Sequence, residues 1–186
     1  MSQILLLHSA LGLRPAVTSF AEALEARGHD VVVPDYYEGQ VFADEEAGID
    51  YRDRTGAREL FKRILPTVER LDDGAALAGF SLGAAFAQTL SGTRPQAAGV
   101  ILMHSVAAPH SRWPGQPVQV HRYAQDHWIE EEDVAALRAA VEAEGASFSD
   151  FVVPGKGHLF TDTDGPDGDA DATALTIERI DALLRG

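Results

Sequence analysis

The chain has 186 residues, 15 Lys plus Arg against 29 Asp plus Glu, a formal charge of -14 and no cysteine. That length suits one domain, and 45% hydrophobic with 24% charged residues describes a globular chain able to bury a core. The negative balance argues against nucleic acid or anionic lipid as partners, and the absence of cysteine excludes disulfides, thiolate zinc sites and a cysteine nucleophile. The first apolar run, Ile4 to Leu7, is too short for a signal sequence or a membrane span, so the chain is expected to be cytoplasmic. It reads instead as a strand over 3–8. Behind it, Val17, Phe20, Ala21 and Leu24 recur at helical spacing between Pro15 and Gly28. A second strand is predicted over 30–34, followed by a long aromatic connection from Asp35 to Gly56. Leu60, Phe61, Ile64, Leu65, Val68 and Leu71 then form a helical stripe that Pro66 should kink. Further strands are predicted over 74–79, 98–104, 117–123 and 148–153, and helices over 131–144 and 171–184. Strands alternating with helices imply one α/β domain, residues 1–186, with a doubly wound, six-stranded parallel sheet. Ser105 to Gln116 are too few for a helical cap domain.

The third strand runs into Gly79-Phe80-Ser81-Leu82-Gly83 and then into an Ala-rich helical segment. This GxSxG between strand and helix is a nucleophile elbow: glycine is needed two positions either side of a serine held on so sharp a turn. A serine hydroxyl needs a base, and the base an orienting carboxylate. His158, in the glycine-bearing loop Pro154-Gly155-Lys156-Gly157-His158, is the candidate base. Asp126, just past a predicted strand end, is the first choice of acid; Asp133 and Asp162 are alternatives. The amide of Leu82, and that of Ala10 in the loop after the first strand, are the expected oxyanion donors, with Leu11 the neighbour most easily confused with Ala10. Ser9, Leu11, Tyr36, Tyr37, Trp128 and Phe160 are the expected substrate wall, to which Phe42, Tyr51 and Trp113 could add apolar surface.

Two other features carry less. The acidic stretch from Asp162 to Asp171 misses the calcium-loop register and reads as a solvated turn ending in a helix cap. His8, His104 and His121 lack the spacing of metal ligands. No metal or cofactor is expected.

LLLHSALGL, RGHDVVVPDYYEG, GFSLG, the loop at Asp126 and GKGHLF together resemble the dienelactone hydrolase family of the α/β-hydrolase superfamily, over nearly the whole chain. The resemblance implies the sheet order 2-1-3-4-5-6, Ser81, Asp126 and His158 as a triad, and Ala10 and Leu82 as oxyanion donors. It also implies hydrolysis of a small carboxylic ester, lactone or thioester through an acyl-enzyme. Three positions depart from the family: Ser81 stands for its cysteine, Ser9 for its glutamate, and Asp162 for an arginine that holds the substrate carboxylate. Dienelactone itself is therefore not the expected substrate, and the antiparallel strands that usually open the sheet are expected to be missing. Activity should fall as pH drops through the histidine titration, around 6 to 7. A monomer or homodimer acting on a small ester is expected. Acyl transfer on the same triad, a flavodoxin-like or receiver-like binding module, and a catalytically inactive hydrolase scaffold are the alternatives.

Overall fold

Leu5, Leu6 and Leu7 point alternately to opposite faces of a strand, and all three are fully buried, so both faces must be covered. The computed structural model, which describes residues 1–186, builds the sheet from six strands. They are β1 (Gln3–Leu7), β2 (Asp30–Val32), β3 (Ala76–Phe80), β4 (Val100–Met103), β5 (Val118–Gln125) and β6 (Phe148–Lys156). Every pairing is parallel and the order is β2-β1-β3-β4-β5-β6. Six helices connect and flank them: α1 (Pro15–Glu25), α2 (Glu45–Thr55), α3 (Ala57–Val68), α4 (Leu82–Ser91), α5 (Glu131–Ala143) and α6 (Ala170–Arg185). None is long and apolar enough to cross a membrane.

Alternation along the strands divides the core. Leu5, Leu7, Leu77, Val100, Leu102, Val118 and Val120 face a larger cluster with Leu60 and Ile64 of α3 and Leu137 of α5. Ile4, Leu6, Ala76, Ala78, Ile101 and Met103 face a smaller one with Phe20 and Leu24 of α1 and Ile180 of α6. Because the chain lays β2 on one side of β1 and everything from β3 onward on the other, the sheet changes direction between β1 and β3. The loops leaving those two strands therefore open onto a common crevice.

The structure corrects several sequence expectations. The long connection after β2 is not irregular throughout, since α2 lies within it. The stripe predicted from Leu60 begins earlier, at Ala57, and α3 runs past Pro66 to Val68. Pro66 lies so near the end that only its own bond to the Lys62 carbonyl is lost. β6 extends through Pro154, Gly155 and Lys156, which the sequence pattern places in the histidine loop. As an edge strand it tolerates proline, and a register shift opposite Tyr123 and Gln125 absorbs the extra residue. Residues 104–117 form no helix between β4 and β5.

Candidate active site

The elbow is shaped by what its glycines lack. A Cβ at Gly79 would overlap the Gly83 carbonyl group, and one at Gly83 would overlap the carbonyls of Leu7 and His8. Turn and neighbouring strand pack backbone against backbone. Ser81 is left at φ 51° and ψ -109°, a conformation non-glycine residues adopt only under constraint. Its amide is tied to the Met103 carbonyl at 2.7 Å. Leu82 opens α4, so its amide is among those with no intrahelical acceptor, at the positive end of the helix dipole.

Seventy-seven positions further on, His158 Nε2 lies 2.9 Å from Ser81 Oγ. Its Nδ1 faces Asp126, 2.8 Å from Oδ2 and 3.0 Å from Oδ1. An ionised carboxylate only accepts, so Nδ1 carries the proton and Nε2 keeps a lone pair directed at the serine hydroxyl. Asp126 Oδ1 also accepts from the Trp128 amide at 3.0 Å. The histidine and the aspartate are both buried. The other acids are occupied elsewhere: Asp133 lies in the first turn of α5, and Asp162 pairs with Arg14 Nε at 3.1 Å.

Arg122 on β5 braces the acid loop. It donates to both carboxylate oxygens of Asp150 on β6, at 3.0 and 2.9 Å, and to both of Glu131 at the start of α5, at 2.6 and 3.0 Å. The strand end before Asp126 and the helix start after it are thereby linked. The histidine loop has its own brace. Gly157, at φ 155°, sits so close to Tyr123 and Asp167 that a Cβ would crowd both. Asp167 accepts from the His158 amide at 2.9 Å, and its carbonyl accepts from Tyr123 Oη at 2.9 Å. The acidic stretch is thus only partly the solvated turn expected. Asp169 caps α6 by accepting from Ala172, whereas Asp162 is buried and Asp167 holds the loop.

Ser9, Ala10 and Leu11 line a cleft of ≈ 150 Å³ with Ser81, Leu82, His104, Trp128, His158 and Leu159. The Leu11 amide donates to Ser9 Oγ at 3.1 Å, leaving Ala10 as the uncommitted neighbour. From behind, Tyr36 Oη donates to the His8 carbonyl and the Phe42 amide to the Leu11 carbonyl at 2.9 Å. α2 comes so close that a Cβ at Gly48 would overlap the Ala10 carbonyl. Burial lowers the pKa of His8, next to this loop, to about 4, and its ring stacks on Tyr36 at 3.7 Å.

Three residues expected in the substrate wall are not there. Tyr36, Tyr37 and Phe160 are essentially fully buried: the tyrosines pack beneath the sheet around His8, and Phe160 against His104 and Tyr123. Phe42 and Tyr51 pack against Tyr37, and Trp113 lies buried away from the cleft. Trp128 does form the rim, half exposed, with Nε1 3.3 Å from Glu45 Oε2. Beside it the wall is α2, which presents Glu45, Ile49 and Arg52, at i, i+4 and i+7 on one face. Sequence reasoning missed this helix because its buried residue is a glycine, so it has no apolar stripe. Its caps were legible: Asp44 accepts from Ala47 at 2.9 Å, Glu45 and Glu46 occupy the first turn, Arg52 and Arg54 the last, and Gly56 follows.

Comparison with known proteins accords with this architecture. One solved structure, the dienelactone hydrolase-like promiscuous phosphotriesterase from metagenomic libraries, superposes with a TM-score of 0.78 at 20% identity, covering 100% of this chain and 86% of that one. Dienelactone hydrolase from Anabaena variabilis gives 0.66 at 19%, covering 100% and 86%. A phospholipase/carboxylesterase from Dyadobacter fermentans gives 0.63 at 16%, covering 96% and 89%. No curated protein sequence matches. The model of the Dienelactone hydrolase family matches residues 1–185. With that match over almost its full length, the chain belongs to the dienelactone hydrolase family, and is a hydrolase-family α/β protein.

Proposed function

We propose that this protein is a serine hydrolase of small carboxylic esters, lactones or thioesters. The observation that carries the reading is the unbroken line from Asp126 through the His158 ring to Ser81 Oγ, with hydrogen-bond distances of 2.8 and 2.9 Å. As Ser81 Oγ bonds to the acyl carbon, its proton passes to His158 Nε2, and Asp126 stabilises the imidazolium so formed. The carbonyl oxygen becomes an oxyanion, for which the amides of Ala10 and Leu82 are the donors in this reading. The carbon–oxygen (or carbon–sulfur) bond then breaks, with His158 protonating the leaving group, and water attacks the acyl-enzyme under the same base.

Size favours short acyl groups. A cleft of ≈ 150 Å³ is about half the lower end of the roughly 300–1,000 Å³ typical of ligand pockets. Ser9 and Leu11, Trp128 on the rim, and Ile49 and Arg52 of α2 are the contacts assigned to substrate.

Labelling by a fluorophosphonate tests the reading. The wild-type protein should be labelled at Ser81 and Ser81→Ala should not, while melting at the same temperature. Across p-nitrophenyl esters, kcat/KM should be higher for acetate and butyrate than for octanoate. A wild-type protein that neither labels nor turns over any ester would overturn the proposal.

A further inference from the structure

His104 follows β4 and is one of three non-glycine residues at positive φ, 67° in its case; Ser81 is another. A residue with a β-carbon persists in that region when its surroundings enforce it. Here the backbone amide donates to the His121 carbonyl at 2.9 Å and the ring is held by what it touches. It is fully buried, with its centroid 4.5 Å from Phe160 and 5.8 Å from His158, both edge-on. Nε2 lies 2.8 Å from Thr161 Oγ1. One side chain from the sheet thus meets His158, Phe160 and Thr161, in a segment that forms neither helix nor strand. The same ring lines the cleft beside Ser81.

We infer that His104 is a positioning residue: together with Thr161 it fixes the far end of the histidine loop and so holds His158 Nε2 within reach of Ser81 Oγ. This rests on the serine-hydrolase reading above. Asp126 grips Nδ1 of His158 and Asp167 its amide, and further along the loop the Phe160 carbonyl accepts from the Asp169 amide at 2.9 Å and Asp162 pairs with Arg14. The bond between His104 and Thr161 ties this loop directly to the end of β4, beside Ser81. Burial, followed by the His158 charge, keeps the His104 pKa well below its ordinary value. The titratable groups facing it are His158 from the loop and His121 from β5. It therefore holds the catalytic imidazolium without adding a second cation beside it.

The test uses the full chain with p-nitrophenyl acetate as substrate and a fluorophosphonate as the label. His104→Asn suits the left-handed backbone but its amide stops short of Thr161; His104→Gln reaches further and can restore the bond. Thr161→Val removes the hydroxyl from the other side while keeping the side chain's shape. His104→Asn and Thr161→Val should each lower kcat about five- to twentyfold with KM within about twofold, since misplacement of a base affects the chemical step. The double variant should be no slower than His104→Asn alone, because both remove one bond. His104→Gln should recover to within about threefold of wild type. If His104→Asn does not fold, Thr161→Val carries the test. Unchanged kcat in Thr161→Val, losses that multiply in the double variant, or no recovery in a folded His104→Gln would overturn the assignment. A wild type that does not label at Ser81 would overturn the hydrolase reading itself; normal wild-type labelling with unaffected variants would overturn only the role of His104.

Discussion

The elbow at Ser81 and the loop at His158 supply the two ends of one hydrogen bond, but the elbow is held by close backbone packing and the histidine loop by backbone bonds reinforced with several side chains. At the elbow, Gly79 lies against Gly83, and Gly83 against the Leu7 and His8 carbonyls. Its conformation is written in five consecutive residues. At the histidine loop, Asp126, Asp167, Tyr123 and, through Thr161, His104 each hold one point. Those residues come from the ends of β4 and β5 and from the acidic turn after His158, and local sequence does not mark them as braces. A tight turn has no room for substitution, whereas a loop held by polar side chains can be weakened one contact at a time.

Four predictions bear on that contrast. The largest effect is expected where the loop meets the chemistry. Asp126→Asn should lower kcat by about 10⁴ while leaving thermal unfolding nearly unchanged, because it disturbs the proton's position on the ring but keeps the packing. A loss of less than tenfold would mean another group orients His158. Gly83→Ala should act through the fold instead, costing about 3 kcal/mol or more in urea unfolding and abolishing labelling together, since its methyl meets backbone that cannot move aside. If that variant proved stable and active, the elbow would be no more rigid than the loop.

A smaller effect is expected from Asp167→Ala, which leaves the His158 amide without its acceptor. About 1–3 kcal/mol of stability should be lost in denaturant titration, with partial rather than total loss of labelling. The smallest, per unit of pH, comes from histidines buried as neutral rings on both sides of the site. The pKa of His8 is lowered from 6.5 to about 4 by burial, and His104 is lowered by burial and by His158. In the unfolded chain these rings take up protons near their ordinary pKa, and in the folded chain only at lower pH. The stabilising contribution of His8 is therefore complete above about 6.5 and lost as pH falls toward about 4, and that of His104 is lost in the same direction. The slope should be about 1.4 kcal/mol per pH unit for each histidine, read from urea midpoints. Midpoints independent of pH across that window would show that these rings take up protons as readily in the native state as in the unfolded chain.

The fold was more legible than the walls of the cleft. The inner strands β1, β3 and β4 could be placed because apolar runs buried on both sheet faces have little polar alternation, and the order of all six followed from the family resemblance and agrees with the observed pairing. The residues of the aspartate–histidine–serine line were also nominated, each from a loop after a strand. The aromatic residues show where the reading failed. Tyr36 and Tyr37 were assigned to the substrate wall because they begin a long connection, yet they turn under the sheet, and the wall is formed by Glu45, Ile49 and Arg52 of α2. A helix that approaches through Gly48 leaves no hydrophobic periodicity to detect. Arg122 escaped notice and Asp167 reads in sequence as part of a solvated turn, because an ion pair or a loop brace depends on which segments become neighbours.

By itself the sequence determined what depends on local chemistry: the alternation of strands and helices, the two glycines that permit the turn at Ser81, and the set of carboxylates able to serve His158. Tertiary structure decided which of those groups meet. Contacts between residues 32 and 77 positions apart complete the line, and they exist only because the parallel order brings the ends of β3 and β5 and the loop after β6 to one edge of the sheet. Periodicity and backbone sterics act between near neighbours in the chain, whereas hydrogen bonds between side chains require neighbours in space, and these the packing of the sheet provides.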